Sequence, residues 1–294
     1  MAKIKSSIAS GPGFYFAIPA VIFYFVFFIA PTVVSLLLSF TDWTSYSSEI
    51  NFIGIQNFIR LINEGTLLKV TRNTALFTIA IVILDNVVAF LLALALAKRT
   101  RFTVFFRALF FSPCLIAIIV WGYLFKNIFN MRGILNQVLS FVLNTKVTIQ
   151  WLGSTQYSIF TAAFVVGWMW IGFHMMIYIA SINAIPEDII EAARIDGVNY
   201  FTMVGRIIIP LVMSSVTFNV LTSTIGGLRV FDVIWVLTQR GPGGSTETFN
   251  TWIFDTYARG FFGYSSAMNI IMITAIMIIA VPLYTSLSRK VVEL

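Results

Sequence analysis

Charge constrains this chain most, through the places where it is missing. No charged residue lies between Lys5 and Asp42, and between Arg72 and Lys98 the only one is Asp85. The intervals Arg107–Lys126, Lys146–Glu187, Arg206–Arg229 and Arg259–Arg289 are also free of charge. Each is long enough for the roughly 20 apolar residues that a helix needs to cross a bilayer. The pattern predicts an all-α polytopic membrane protein with six transmembrane helices, at about 14–40, 75–97, 106–125, 159–180, 207–228 and 267–287. Composition agrees: 11% of residues are charged, against roughly 25% in soluble domains, and the mean hydropathy is +0.91. So few charges cannot cover a water-facing surface, so the solvent of this chain is largely lipid. The run from Gly133 to Thr145 is too short to span and reads as an interfacial helix.

Several function classes fall away. One cysteine, Cys114, excludes an internal disulfide framework and a thiolate metal cluster. One histidine, His174, excludes a multi-histidine metal site. No lysine follows a glycine, so the phosphate-binding GxxxxGK[ST] loop is absent, and no hydrolytic constellation is present. The chain therefore reads as no enzyme, with no catalytic residue, metal or cofactor of its own. The net charge of +7 is dispersed at the ends of apolar runs, which points to membrane topology rather than nucleic acid. The apolar run after Lys3 and Lys5 is far longer than a signal h-region and reads as an uncleaved anchor. With the N-terminus inside, ten of the 19 Lys and Arg fall in about 58 inner residues and nine in about 105 outer ones. The cluster Lys98-Arg99-Thr100-Arg101 carries much of that asymmetry. Both termini are expected to be cytoplasmic.

No internal repeat or interdomain linker is visible, so the expectation is a single transmembrane domain over 1–294, with the first span at 14–40 and core spans over 75–287. In the outer loop at about 41–74, Phe52–Ile59 has the apolar spacing of a short surface helix. The outer loop at about 229–266 carries Leu237-Thr238-Gln239-Arg240-Gly241-Pro242-Gly243-Gly244, which reads as turn-rich and irregular.

Between the fourth and fifth spans lies a short polar hairpin. Pro186 suits a helix start, and Glu187 and Asp188 follow at the positive end of the helix dipole. Ile189 to Ala193 continue the helix, and Asp196-Gly197 supplies a stop and a turn. Asn199 is placed to cap a second helix running toward Ile209. Ala192 and Ala193 lack bulk, so another protein could approach closely, and Glu191 offers it a charge. An ordinary connector between spans is the plain alternative.

Glu191-Ala192-Ala193-Arg194-Ile195-Asp196-Gly197, followed by Ile207-Ile208-Ile209-Pro210-Leu211, resembles the EAA loop of ABC-importer permeases. The resemblance extends to NFIGIQNFIRLI at 51–62, FFRALFFSP before the third span, IQWLG at 149–153, RVFDVIWVLTQRGPGGSTET at 229–248 and FGYSSAMNI at 262–270. These look like the sugar-permease branch, which includes maltose-permease-like and glycerol-3-phosphate-permease-like proteins. One departure is Gln239-Arg240-Gly241, where that branch often has a run of glycines before the proline. The resemblance implies alternating access in the plasma (inner) membrane of a prokaryote. It implies a heterodimer with a second, homologous permease and an extracytoplasmic solute-binding protein. Two ATPase subunits would bind ATP and Mg and grip a coupling helix at about 187–197, with Glu191, Ala192, Ala193, Asp196, Gly197 and Pro210 carried over as the coupling-loop residues.

The substrate-path candidates are less specific. Asp85 and Asn86 lie in the second span, where an ionisable group faces a bundle interior and serves either substrate or packing. In the fourth span, Trp170, Phe173 and His174 share a face at three- and four-residue spacing. They could offer a sugar both stacking and hydrogen bonds, or could pack against lipid. In maltose-type permeases the fifth span lines the path, and counting from Pro210 places Ser223 and Gly227 nearest the sugar. Small polar residues also mediate helix packing. The favoured solute is a sugar or oligosaccharide. A glycerophosphodiester or polyol importer is one rival. An ion-coupled secondary transporter using Asp85 and His174 is another.

Overall fold

The structure is a computed structural model that describes residues 13–290. Lys3 and Lys5 lie outside the described residues. The charge-free intervals are largely helical, and among the described residues the only β-type contact is an isolated bridge between Thr41 and Phe52. Four helices are long and apolar enough to cross a membrane: α1 (Phe16–Leu38), α3 (Thr66–Leu96), α7 (Ser158–Asn183) and α13 (Phe262–Ser288). Between α1 and α3 lies α2 (Gln56–Asn63). Two further spans are bent pairs, α4 (Arg101–Leu115) with α5 (Ile118–Ile128) at 98°, and α9 (Tyr200–Leu211) with α10 (Met213–Leu228) at 75°. Counting each pair as one span gives six. The remaining helices are α6 (Ile134–Leu143), α8 (Glu187–Ile195), α11 (Asp232–Thr238) and α12 (Phe249–Ala258).

The spans expected at 106–125 and 207–228 are the two bent ones. In the first, Pro113 tightens the end of α4 into a 3-10 turn, and Ile116 and Ala117 then adopt extended torsions. In the second, Pro210 lacks the N–H an α-helix needs, and Val212 takes φ −97°, ψ 15°. The segment expected to be irregular also holds two helices, α11 and α12, around a tight turn at Gly241–Gly244.

The chain divides into two compact units. One comprises the described residues up to Glu64 together with Ile253–Ile271. Its connection between α1 and α2 is pinned by Asn57, whose amide donates to the carbonyls of Ser39 and Thr41 at 2.9 and 2.8 Å. Asn51 donates its backbone and side-chain N–H groups to Asp42, at 2.8 and 3.0 Å, and holds that carboxyl below the usual carboxylate range. Arg60 pairs with Glu64 at 2.7 Å, and the Tyr264 hydroxyl donates to the same carboxylate at 2.7 Å.

The other unit comprises Gly65–Trp252 and the described residues from Met272 onward. Phe77 and Ile81 of α3, Phe125 of α5, Val165 and Met169 of α7, and Ile234 of α11 form its main apolar core. Helix α10 lies so close to α3 that a Cβ on Gly227 would sit 2.9 Å from the Thr78 Cα, so that position requires glycine. Glu247, 2% exposed, ties the α11–α12 connection to α3 by ion-pairing with Lys69 at 3.2 Å and with Arg240. Asn73 adds hydrogen bonds to the Gly244 and Glu247 carbonyls.

Candidate functional site

The site begins with a local irregularity in α3. Leu84–Val88 forms a π-turn, and Asp85 and Asn86 stand inside it. In a regular helix, consecutive residues point about 100° apart. Here both reach neighbouring helices, and such π-turns recur at functional positions. Asp85 Oδ2 lies 3.5 Å from His174 Nε2 on α7. The Asn86 amide donates to Ser223 Oγ on α10 at 3.1 Å and accepts from the Tyr178 hydroxyl at 2.8 Å. His174 Nδ1 lies 3.0 Å from Asn219 Oδ1, and Asn219 Nδ2 donates to the His174 carbonyl at 3.1 Å. Three spans are thus joined by polar contacts inside the bundle. A polar group at that depth is tolerated only with a partner.

Beside this network lies a cavity of about 530 Å³. It is lined by Asp85, Trp170, Phe173, His174 and Ser223, so five of the substrate-path candidates meet at one space. Trp170 and Phe173 contact each other edge to face, with ring centroids 5.7 Å apart. Thr222 and Gly226 add to the wall from α10, Arg229 and Phe231 from the connection to α11, and Asp232 from the first residue of α11. The wall offers aromatic faces, hydroxyls, the carboxyl groups of Asp85 and Asp232 and the Arg229 guanidinium, groups that suit a polar solute with apolar C–H faces.

Asn86 and Gly227 are placed differently. Asn86 is absent from the cavity wall and bridges Ser223 to Tyr178. Gly227 faces Thr78 and Ile81 of α3, where it serves helix packing. Sequence reasoning passed over Tyr178, although its position four residues after His174 puts it on the same helical face. Arg229, at the C-terminal edge of α10, stands in the wall at helical spacing from Thr222, Ile225 and Gly226, as its place at the edge of the fifth span suggests.

The polar hairpin is α8, a turn and the start of α9. Pro186 stands just before the first helical residue, and Glu187 and Asp188 occupy the first turn. Gly197, at φ +73°, ends α8. Its N–H donates to the Arg194 carbonyl at 3.0 Å and that of Val198 to the Ala193 carbonyl at 3.1 Å, a Schellman closure. Asn199 caps α9 by accepting from the Thr202 N–H at 2.9 Å. Ala193 is buried against Met203, Ile208 and Val212, so its small size serves the hairpin's own packing. Glu191, Ala192, Asp196 and Gly197 are exposed, and Pro210 is half-buried in the last turn of α9. Ile195 and Phe201 are 86% and 85% exposed, an unusual display for large apolar side chains on a polar connector.

Comparison with known proteins bears on the family and the fold. Residues 100–293 match the family described as "Binding-protein-dependent transport system inner membrane component". The chain is 30% identical over 264 residues to a probable ABC transporter permease protein, YurN, of Bacillus subtilis, covering 88% of this chain and 90% of that one. It is 28% identical over 284 residues to the lactose transport system permease protein LacF of Rhizobium radiobacter, covering 95% of each. Its fold is similar to that of a chain in a bacterial ABC transporter that imports the acidic polysaccharide alginate, with a TM-score of 0.81, 19% identity, and coverage of 98% and 99%. The helical hairpin, the bent spans and the extent of these matches lead to one assignment: this chain belongs to the inner-membrane components of binding-protein-dependent transport systems.

Proposed function

We propose that this chain is one of two membrane subunits of an ATP-driven importer for a sugar or oligosaccharide. The observation that carries this reading is the cavity. It brings Trp170 and Phe173 together with Asp85, His174, Thr222 and Ser223 within the bundle. A sugar presents C–H faces that stack on aromatic rings and hydroxyls that meet polar groups at the rim, and this wall has both. The lactose permease among the relatives supports the same solute class.

The energy comes from elsewhere. Two ATPase subunits bind ATP and Mg, and they grip the exposed side of α8 through Glu191, Ala192, Ile195 and Gly197. A second, homologous permease completes the pathway, and an extracytoplasmic binding protein delivers the solute. Both termini and the hairpin face the cytoplasm, as the Lys and Arg distribution favours. Solute loading outside and ATP-driven closure inside bias two arrangements of one bundle, which is alternating access.

Purification and reconstitution test this. The chain, tagged and co-expressed with the transport proteins of its operon, is isolated in mild detergent and placed in liposomes with labelled maltose or lactose outside. The expected result is co-purifying ATPase and uptake that needs both ATP and binding protein. Uptake by the chain alone, driven by an ion gradient, would refute the assignment.

A further inference from the structure

The hydrogen bonds around His174 fix where its protons are. Asn219 Nδ2 donates to the His174 backbone carbonyl, which can only accept. The amide is thereby oriented with Oδ1 toward His174 Nδ1, at 3.0 Å. An amide oxygen also only accepts, so Nδ1 carries a hydrogen. The other ring nitrogen, Nε2, faces Asp85 Oδ2 at 3.5 Å. A neutral imidazole protonated at Nδ1 has a lone pair there, and an ionised carboxylate has lone pairs too. Two acceptors facing each other inside a bundle repel. One proton between them removes the conflict, as imidazolium with carboxylate or as imidazole with carboxylic acid. Either arrangement has no net charge.

Among the described residues, no other side chain pairs with Asp85. It is 2% exposed, and its Oδ1 lies over Gly167 without a hydrogen-bond partner among the described residues. Helix α3 brings no second titratable group to this point. Helix α7 brings Tyr178, whose hydroxyl is given to Asn86. Helix α10 brings Asn219 and Ser223, neither of which titrates. The remaining charged groups on the cavity wall are Arg229 and Asp232, which are opposite in sign. With one proton on the pair, the wall sums to zero.

We propose that Asp85 and His174 share one proton as a net-neutral pair, and that this pair sets the cavity's specificity for uncharged sugars. The proposal rests on the sugar-import reading. An uncharged sugar leaves the balance intact. A uronic acid brings a negative charge against Asp85 and Asp232. An ammonium sugar finds a matching charge only when the shared proton has left.

Charge rescue in the complete reconstituted importer tests it, with maltose, lactose and the disaccharide of glucosamine as probes. H174Q takes away the ring that shares the proton, so wherever Asp85 ionises its charge stands alone, and uptake of the neutral sugars should fall at least about tenfold relative to wild type as pH is raised, as expected for a buried pair that loses one partner. D85N/H174Q removes the stranded charge and should recover much of the uptake that H174Q loses, because the two changes act on one pair and are not additive. H174Q should also raise glucosamine-disaccharide uptake relative to the neutral sugars, which a packing defect would not do. A double variant no better than H174Q, in a complex that assembles normally, overturns the proposal. Where H174Q fails to assemble, wild type decides. This chain has a single histidine, so nuclear magnetic resonance of the chain labelled with heavy nitrogen at histidine and assembled with unlabelled partners reads His174 directly. A hydrogen on Nε2 and none on Nδ1 overturns the proposal; a hydrogen on Nδ1, with Nε2 protonated or hydrogen-bonded, supports it. If wild type carries another solute and none of these sugars, the sugar reading fails, and the same rescue measured on that solute still decides the pair.

Discussion

Gly197 offers a clean way to separate the hairpin's own fold from the surface it presents. Its φ of +73° belongs to the left-handed region, and a Cβ built there meets nothing within 4 Å. Substitution therefore carries a backbone penalty of about 1–2 kcal/mol and no internal clash. Gly197→Ala and Gly197→Arg share that penalty, because it arises at the Cβ. The Schellman bonds of Gly197 and Val198 use backbone atoms alone and survive both changes. The two variants differ in what projects into the space where we place the ATPase: a methyl group, or a long cation. Both should insert and assemble comparably, since about 1–2 kcal/mol at a solvent-facing turn does not unfold a bundle of this size. Transport should divide them. Uptake by Gly197→Ala should stay within about thirtyfold of wild type, the limit that about 2 kcal/mol sets at 1.4 kcal/mol per factor of ten. Gly197→Arg should lose nearly all uptake. The assay is ATP-dependent sugar uptake in proteoliposomes beside ATP hydrolysis by the same vesicles. Equal uptake by the two variants, with ATPase bound normally, would mean that no partner surface meets this turn and that 187–197 is only a connector.

Four further outcomes are expected. Trp170→Ala and Phe173→Ala should each slow uptake severalfold to about tenfold or change the sugars accepted, since a ring contact contributes roughly 0.5–1.5 kcal/mol beyond buried area; full uptake with unchanged selectivity in both would move the path elsewhere. Glu247→Gln leaves Lys69 and Arg240 facing each other without a carboxylate, and after screening of those half-exposed cations should destabilise the α11–α12 connection by about 1–3 kcal/mol, read as faster proteolysis between Arg240 and Thr246. Arg60 and Tyr264 hold the Glu64 carboxyl below its usual range, so the stability it contributes is present above the unfolded pKa and is lost as pH falls through the lowered folded value; hydrogen exchange at Gln56–Asn63 should rise only below about pH 4. In a Cys114-free chain, a cysteine at Ser154 should label from outside and one at Asn199 only from inside, and the reverse pattern would invert the proposed orientation.

Much of this architecture was legible because the bilayer reads the sequence through a simple filter. Charge-free intervals marked the spans, and Asp196-Gly197 and Asn199 marked the hairpin through backbone chemistry local to a few residues. The bends were not legible. Pro113 and Pro210 announce a disturbance, but whether a proline kinks a span or breaks it depends on what packs around it. Neighbouring helices supply that information, and Ile116, Ala117 and Val212 carry no residue-type signal of their own. The cavity was half legible for the same reason. Trp170, Phe173 and His174 share a helical face by spacing alone, and Asp85 is conspicuous as a lone charge in a span. Which of Asp85 and Asn86 meets the cavity depends on the π-turn at Leu84–Val88, which no local pattern announces. Gly227 was read as a path residue, yet its smallness is used against Thr78.

The bend at Val212 links the two candidate sites. Val212 is fully buried and packs with Ala193, Met203 and Ile208, the cluster that fixes α8 against α9. One residue later α10 begins, and ten residues further on it places Ser223 in the cavity wall. At 1.5 Å per residue, Ser223 lies about 15 Å along α10 from the elbow. A rotation of about 5° there would carry Ser223 by about 1.3 Å, enough to part its hydrogen bond with Asn86, now 3.1 Å long. The polar tie from α10 to α7 runs through Asn219, only six residues from Met213, so the same rotation moves it less. A straight fifth span would pass a push on the hairpin along its own axis. A bent one turns the push into a swing of the cavity wall, and the swing is largest at the positions where that wall would meet a solute.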